Sequence, residues 1–191
     1  MGTDGMEGVI EEYGKHYLIT GLRDSKKVDL ESLTGILREK RGSVVQVFNA
    51  DLIAGWEHLF FAALNALKAF ESKRNISKSL AMEVLLYASM QRQISNALKL
   101  IGVKPDLSRV AVIVLSDSKS EIQERLEEVE AFFGGVVDDK VLSVDQRKLD
   151  LIKTTFGITD EELKAVGQAR TPEEAIKYIV IECMALLYLQ K

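Results

Sequence analysis

Apolar residues change their spacing repeatedly along this chain, and each change marks the border of an element. Over 16–22 they run or alternate as in a strand, whereas Leu30, Leu33, Ile36 and Leu37 share one face of a helix opened by Asp29 and carried to Lys40. Gly42 stops that helix, and the β-branched run 43–49 reads as a buried strand. Asp51 is then the expected N-cap of a long helix reaching Glu71. Leu52, Trp56, Leu59, Phe60, Ala63, Leu64, Leu67 and Phe70 make that helix apolar on most sides and so central to the core. Two shorter helices follow. One carries Leu80, Val84 and Ala88; the other, over 91–101, buries Ile94, Ala97, Leu98 and Ile101 and ends at Gly102.

The run 109–116 is the strongest strand signal, followed by Ser118 and Glu121 as a capping box for a helix to Phe133. A short strand is expected over 140–144, and helices over 145–156, 159–166 and 171–190. Thr159 with Glu162 and Thr171 with Glu174 cap the last two, and Pro172 takes the first helical position. This alternation predicts an α+β (or α/β) fold: a single domain over 1–191, with a small mixed β-sheet packed by several α-helices.

Composition narrows the chemistry. At 191 residues and 47% hydrophobic the chain can bury a substantial core, and its single cysteine, Cys183, excludes a disulfide framework. The N-terminus lacks a basic flank followed by an apolar run, and no stretch is long enough to span a bilayer, so the expectation is a soluble, cytoplasmic protein. His16 and His58 fall in different elements with no second ligand at helical spacing, which leaves no metal site, and His58 reads as a core residue. Cys183 sits among Ile179, Val180, Met184 and Leu187, where a thiol stays protonated. No nucleophile elbow, dinucleotide fingerprint or P-loop occurs. The carboxylate pairs Asp138–Asp139 and Glu127–Glu128 read as solvated neighbours, and no cofactor is called for.

Charge is uneven. The chain carries a net −4, yet residues 66–104 hold Lys68, Lys73, Arg74, Lys78, Arg92, Lys99 and Lys104 against only Glu71 and Glu83. A local positive field attracts phosphates whatever the distant net charge. On a helix over 91–101, burying the apolar set turns Arg92, Asn96 and Lys99 outward as one cationic stripe, which Lys73, Arg74 and Lys78 could continue. Phe61 and Tyr87 are candidate stacking surfaces that also fit the core.

Within this segment, Leu80, Glu83, Val84, Leu85, Ser89, Ile94, Ser95, Ala97, Leu98, Lys99 and Gly102 carry a pattern that resembles a family of small KEOPS accessory subunits. It is the family that includes the PRPK-binding protein (TPRKB). The likeness extends loosely from the strand at 43–49 to the C-terminal helix. The run 91–94 looks archaeal, and Met90 departs from the pattern, which has Gly there.

The resemblance implies a non-catalytic subunit of the machinery for threonylcarbamoyladenosine (t6A) modification of tRNA. Such a subunit binds the N-lobe of the KEOPS atypical kinase/ATPase subunit and captures the single-stranded 3′ CCA end of tRNA. The catalytic threonylcarbamoyl transferase subunit is then an indirect partner in the same complex. The RNA-binding candidates are Lys73, Arg74, Lys78, Arg92, Asn96, Lys99 and Lys104, which supply the phosphate neutralisation an unpaired strand requires.

The C-terminal helix is the candidate partner-binding element, through Ile176, Ile179, Val180, Cys183, Leu186 and Leu187, because it holds too many apolar residues for one buried stripe. Full insertion in its own core is the competing reading. Two other classes also stay open: a small-molecule enzyme of unrecognised type, and a homodimeric structural scaffold.

Overall fold

The computed structural model describes residues 6–166 and 171–189. Its strands are β1 (Met6–Ile10), β2 (Lys15–Arg23), β3 (Val44–Asn49), β4 (Val110–Ser116) and β5 (Val136–Val137). Its helices are α1 (Leu30–Leu37), α2 (Trp56–Glu71), α3 (Leu80–Ser89), α4 (Ile94–Ile101), α5 (Lys119–Phe133), α6 (Gln146–Phe156), α7 (Asp160–Val166) and α8 (Pro172–Leu189). The predicted end of the last helix at Gln190 lies outside the described residues.

The sheet runs β1-β2-β4-β3, and β5 joins the far end of β2 through Leu22 and Arg23. Every pairing is antiparallel, so the fold is α+β, and the mixed sheet expected from alternating elements is corrected. The reason is the connection between β3 and β4. It holds three helices, α2 to α4, and returns the chain against the direction of β2 and β3 instead of along it.

Strand alternation divides the core in two. Val110, Val112 and Val114 of β4 join Leu18, Leu22, Val45 and Val47 beneath α5, with Leu33 of α1. Ala111, Ile113 and Leu115 point the other way, with Ile19, Val44 and Phe48, into a larger core formed with α2, α3, α6 and α8. The result is a sheet with helices on both faces.

Several borders differ from the sequence reading for visible reasons. α1 stops at Leu37, short of Lys40, because the buried Arg125 guanidinium on α5 takes the carbonyls of Ile36 (2.5 Å) and Arg38 (3.1 Å) and draws the chain into an extended turn. Asp51 does not cap the long helix. Asn49 caps a short 3-10 turn at Ala50–Leu52, Asp51 pairs with Arg109 at 2.6 Å, and α2 begins only after Gly55 at φ +87°. Ser118 opens α5 without a side-chain cap; its hydroxyl meets Ser120 at 2.8 Å, and Glu121 lies 3.7 Å from Arg41.

The strand expected over 140–144 is a 3-10 turn, Asp139–Leu142, because the Val141 and Leu142 carbonyls accept the buried Lys148 ammonium (3.0 and 3.2 Å) instead of a strand neighbour. Both threonine capping boxes form: Thr159 and Glu162 exchange bonds of 2.7 and 3.2 Å, and Thr171 and Glu174 exchange two of 3.3 Å.

Candidate nucleic-acid interface

The basic segment folds as two turns around α3, and the two turns are built alike. At the end of α2 the amide of Lys73 returns to Phe70 O (3.1 Å) and that of Arg74 to Ala69 O (2.8 Å). At the end of α3, Met90 returns to Tyr87 O (3.0 Å) and Gln91 to Leu86 O (3.0 Å). These are Schellman closures, which place their hinge residue in the left-handed region. Here that residue is Lys73 (φ +56°) and Met90 (φ +55°), both non-glycine. The Gly that the resemblance leads one to expect at position 90 would suit this turn, since Gly adopts the conformation without cost.

The loop between α2 and α3 is held from inside. Glu83, wholly buried on α3, accepts the amides of Ile76 (2.9 Å) and Ser77 (2.7 Å). One of the two acids counted against the basic segment therefore faces backbone amides in the interior. Ser77 Oγ accepts Ser79 N at 3.1 Å, and Ser79 caps α3.

All seven RNA-binding candidates are exposed, but Arg92, Asn96 and Lys99 do not form the single helical stripe expected of them. α4 begins at Ile94 with Gln93 as its N-cap, so Arg92 lies in the turn before the helix, out of phase with Asn96 and Lys99. Asn96 Nδ2 donates to Gln93 Oε1 at 3.3 Å. Lys78 and Arg92 flank opposite ends of α3, ten residues that rise roughly 15 Å. Among the described residues Lys73, Lys78, Lys99 and Lys104 make no ion pair within 4 Å.

α4 also buries less than expected. Ala97 and Ile101 enter the core, whereas Ile94 and Leu98 (46% exposed) face outward, because the inner side of so short a helix is filled by those two residues. Gly102 follows in extended, not left-handed, conformation, yet a Cβ there would stand 2.4 Å from Leu98 O. The tight exit this permits brings residues 103 and 104 back beside α1.

The consequence is a groove that the sequence reading did not anticipate. Leu30, Leu33, Thr34 and Leu37 of α1 form one wall, and Leu98, Lys99, Val103 and Lys104 the other. Gln46 and Val47 of the edge strand β3 and Met82 of α3 complete a space of about 500 Å³. Lys99 and Lys104 thus converge on a mainly apolar trough. Gln46 is itself buried, accepting its neighbour Val47 N (2.9 Å) and donating to Ala81 O (3.0 Å), which fixes α3 against the strand edge. Of the stacking candidates, Tyr87 is in the core and Phe61 packs edge-on against Phe60.

On α8 the structure sorts the partner-binding candidates. Ile176, Ile179, Val180 and Leu187 are buried in the chain's own core against α2 and α6, which corrects their assignment to an outer face. Leu186 (54% exposed) and Tyr178 (46%) point outward, and Cys183 is half-buried between the two sides. Burial, then Glu162 and Glu182, push the Cys183 thiol up.

The groups considered for catalysis are occupied structurally. His58 Nδ1 accepts Ala54 N (3.1 Å) and Nε2 meets Ala88 O (2.8 Å); burial lowers its pKa to about 4. Glu128 pairs with Lys40 and Arg125, Asp138 with Arg23, and Asp139 accepts the Thr20 hydroxyl at 2.7 Å.

The family model for the kinase binding protein CGI-121 matches residues 25–187. The chain belongs to the CGI-121 family. Two archaeal relatives agree. The "Regulatory protein Cgi121" of Methanocaldococcus jannaschii is 36% identical over 117 residues, covering 61% of this chain and 72% of the relative. The "KEOPS complex subunit Cgi121" of Pyrococcus abyssi is 34% identical over 68 residues, 36% of this chain and 40% of the relative. This is the family that the pattern around Leu80, Glu83 and Ile94 resembled. No helix among the described residues is long and apolar enough to cross a membrane.

Proposed function

We propose that this chain is a non-catalytic KEOPS accessory subunit that recruits tRNA by its single-stranded 3′ CCA end and docks on the N-lobe of the complex's kinase/ATPase subunit in support of t6A formation. The observation that carries the RNA half is the groove. An unpaired strand end offers flat apolar bases joined by phosphates, and a trough walled by Leu30, Leu98 and Val103 with Lys99 and Lys104 on its rim suits both parts. Lys73, Arg74, Lys78 and Arg92, on the turns at either end of α3, extend the positive field and steer the approaching strand.

The kinase half rests on the family description and on the outward residues of α8. Tyr178 and Leu186, flanked by Cys183, leave apolar surface on a helix whose other side is already committed to the core. A non-enzymatic role accords with the engagement of the carboxylate pairs and with a histidine locked between two backbone groups.

The test is tRNA binding measured with and without the CCA end. Wild-type protein is expected to bind intact tRNA at least tenfold more tightly than tRNA lacking CCA. Reversing Lys99 and Lys104 to Glu is expected to cost about 1–3 kcal/mol, with a shallower salt dependence. Equal binding of the two tRNAs by the wild type overturns the reading.

A further inference from the structure

Leu30 lines both the groove and a second depression, which Lys27, Val28, Asp29 and Pro105 complete; Lys27, Val28 and Asp29 in turn also line a third, with Lys26, Ser32, Ala131 and Phe132. We infer that a bound RNA strand continues along this path, so that Lys26 and Lys27 hold the phosphates of nucleotides on the 5′ side of those seated in the groove. This rests on the reading of the groove as the site of the strand's 3′ end.

Three observations support it. The first is continuity. Val28 N donates to Pro105 O at 2.9 Å, which lays the segment carrying Lys26 and Lys27 beside the loop carrying Lys104. The second is rigidity. Ser25 N donates to Ser108 O (3.0 Å) and Lys26 N to Phe133 O (2.9 Å), so the two lysines stand on a backbone pinned at successive residues, and only their side chains have to be ordered on binding. The third is charge. Both lysines are exposed, and among the described residues neither makes an ion pair, whereas Lys15, Lys40, Lys119 and Lys177 elsewhere on the surface each have a carboxylate.

The acid nearest the path, Asp29, is turned onto the start of α1. It accepts Ser32 N (2.9 Å), Ser32 Oγ (2.6 Å) and Glu31 N (3.3 Å), so its charge is directed at helix amides. Asp24, which pairs with Arg23, Glu31 and Asp106 are the other acids on these two segments, beside Lys26, Lys27 and Lys104.

The experiment compares two ligands, intact tRNA and the trinucleotide CCA, on the wild type and on a Lys26→Glu/Lys27→Glu variant. Thermal melting checks that the variant folds, and Lys26→Gln/Lys27→Gln serves as a milder second variant. The expected result is at least a tenfold loss of tRNA affinity for the Glu variant and a smaller loss for the Gln variant. The slope of log K against log salt should fall by roughly 1.5, as for two phosphates released. CCA binding, followed by NMR titration, should stay within twofold of wild type. Unchanged tRNA affinity in both variants, or equal losses for tRNA and CCA, overturns this inference while the groove reading stands. Failure of the wild type to bind CCA at all overturns the groove reading itself.

Discussion

The carboxylate of Glu83 accepts the backbone amide of Ser77 at 2.7 Å from a wholly buried position, so a core residue of α3 sets the shape of a loop that is cationic on its outer side. Ile76 N completes the arrangement at 2.9 Å. Replacing Glu83 by Ala leaves two amides without partners and is expected to destabilise the fold by about 2–4 kcal/mol. Glu83→Gln, which keeps an acceptor oxygen, should cost roughly half as much. Urea denaturation checks both.

Lys73 sits in the left-handed region at the end of α2, a conformation that disfavours any side chain with a Cβ by about 1 kcal/mol. Lys73→Gly should therefore stabilise the protein by about 0.5–1 kcal/mol while weakening tRNA binding through the lost charge. Opposite signs for melting temperature and affinity are the expected outcome. If both fall, the strain is absent.

Two buried bases make stability depend on pH in separate windows. Burial lowers the His58 pKa from 6.5 to about 4, so the unfolded chain takes up a proton that the folded one refuses. Stability is then lost as pH falls from 6.5 towards 4, by roughly 3 kcal/mol in full. Burial likewise lowers Lys148 from 10.5 to about 7, with Asp51 opposing, so stability rises as pH increases from 7 towards 10.5. Denaturation at pH 5, 7 and 9.5 tests the pattern, and Lys148→Met should flatten the alkaline limb.

The two sides of α8 predict different phenotypes. Ile176→Ala, on the core side, should destabilise the protein by about 2–5 kcal/mol. Leu186→Asp, on the outer side, should change stability by less than about 0.5 kcal/mol and weaken association with the kinase subunit at least tenfold. Denaturation and co-sedimentation separate the two, and kinase binding unaffected by Leu186→Asp would place the contact elsewhere.

Periodicity made most elements legible, because strands such as β4 and helices such as α6 declare themselves by local pattern and caps. β1 escaped notice: Met6–Ile10 is exposed on much of its length and has no apolar alternation, its pairing being supplied by β2. The border errors at Asp51 and Arg38 share one cause. Each depends on a partner distant in sequence, Arg109 for one and Arg125 for the other, and no local signal carries such pairings.

The candidate site divides the same way. Charge counting found Lys99 and Lys104, but the groove they border is assembled from α1, β3, α3 and α4, and only the fold brings these together. Lys26 and Lys27 were passed over because they precede a helix unrelated in sequence to the basic segment. On α8 the surplus of apolar residues was visible, whereas the direction each one faces was not.

The central position of β4 has a consequence for synthesis on the ribosome. Val112 pairs with Thr20 on one side and with Val47 on the other, so both earlier strands wait for a stretch translated after three intervening helices. Until it emerges, β3 has no native hydrogen-bonding neighbour and β2 has only β1 on its other side, so the nascent chain carries two unsatisfied apolar edges. That interval, set by elongation speed more than by any barrier to collapse, is when chaperones have most to shield.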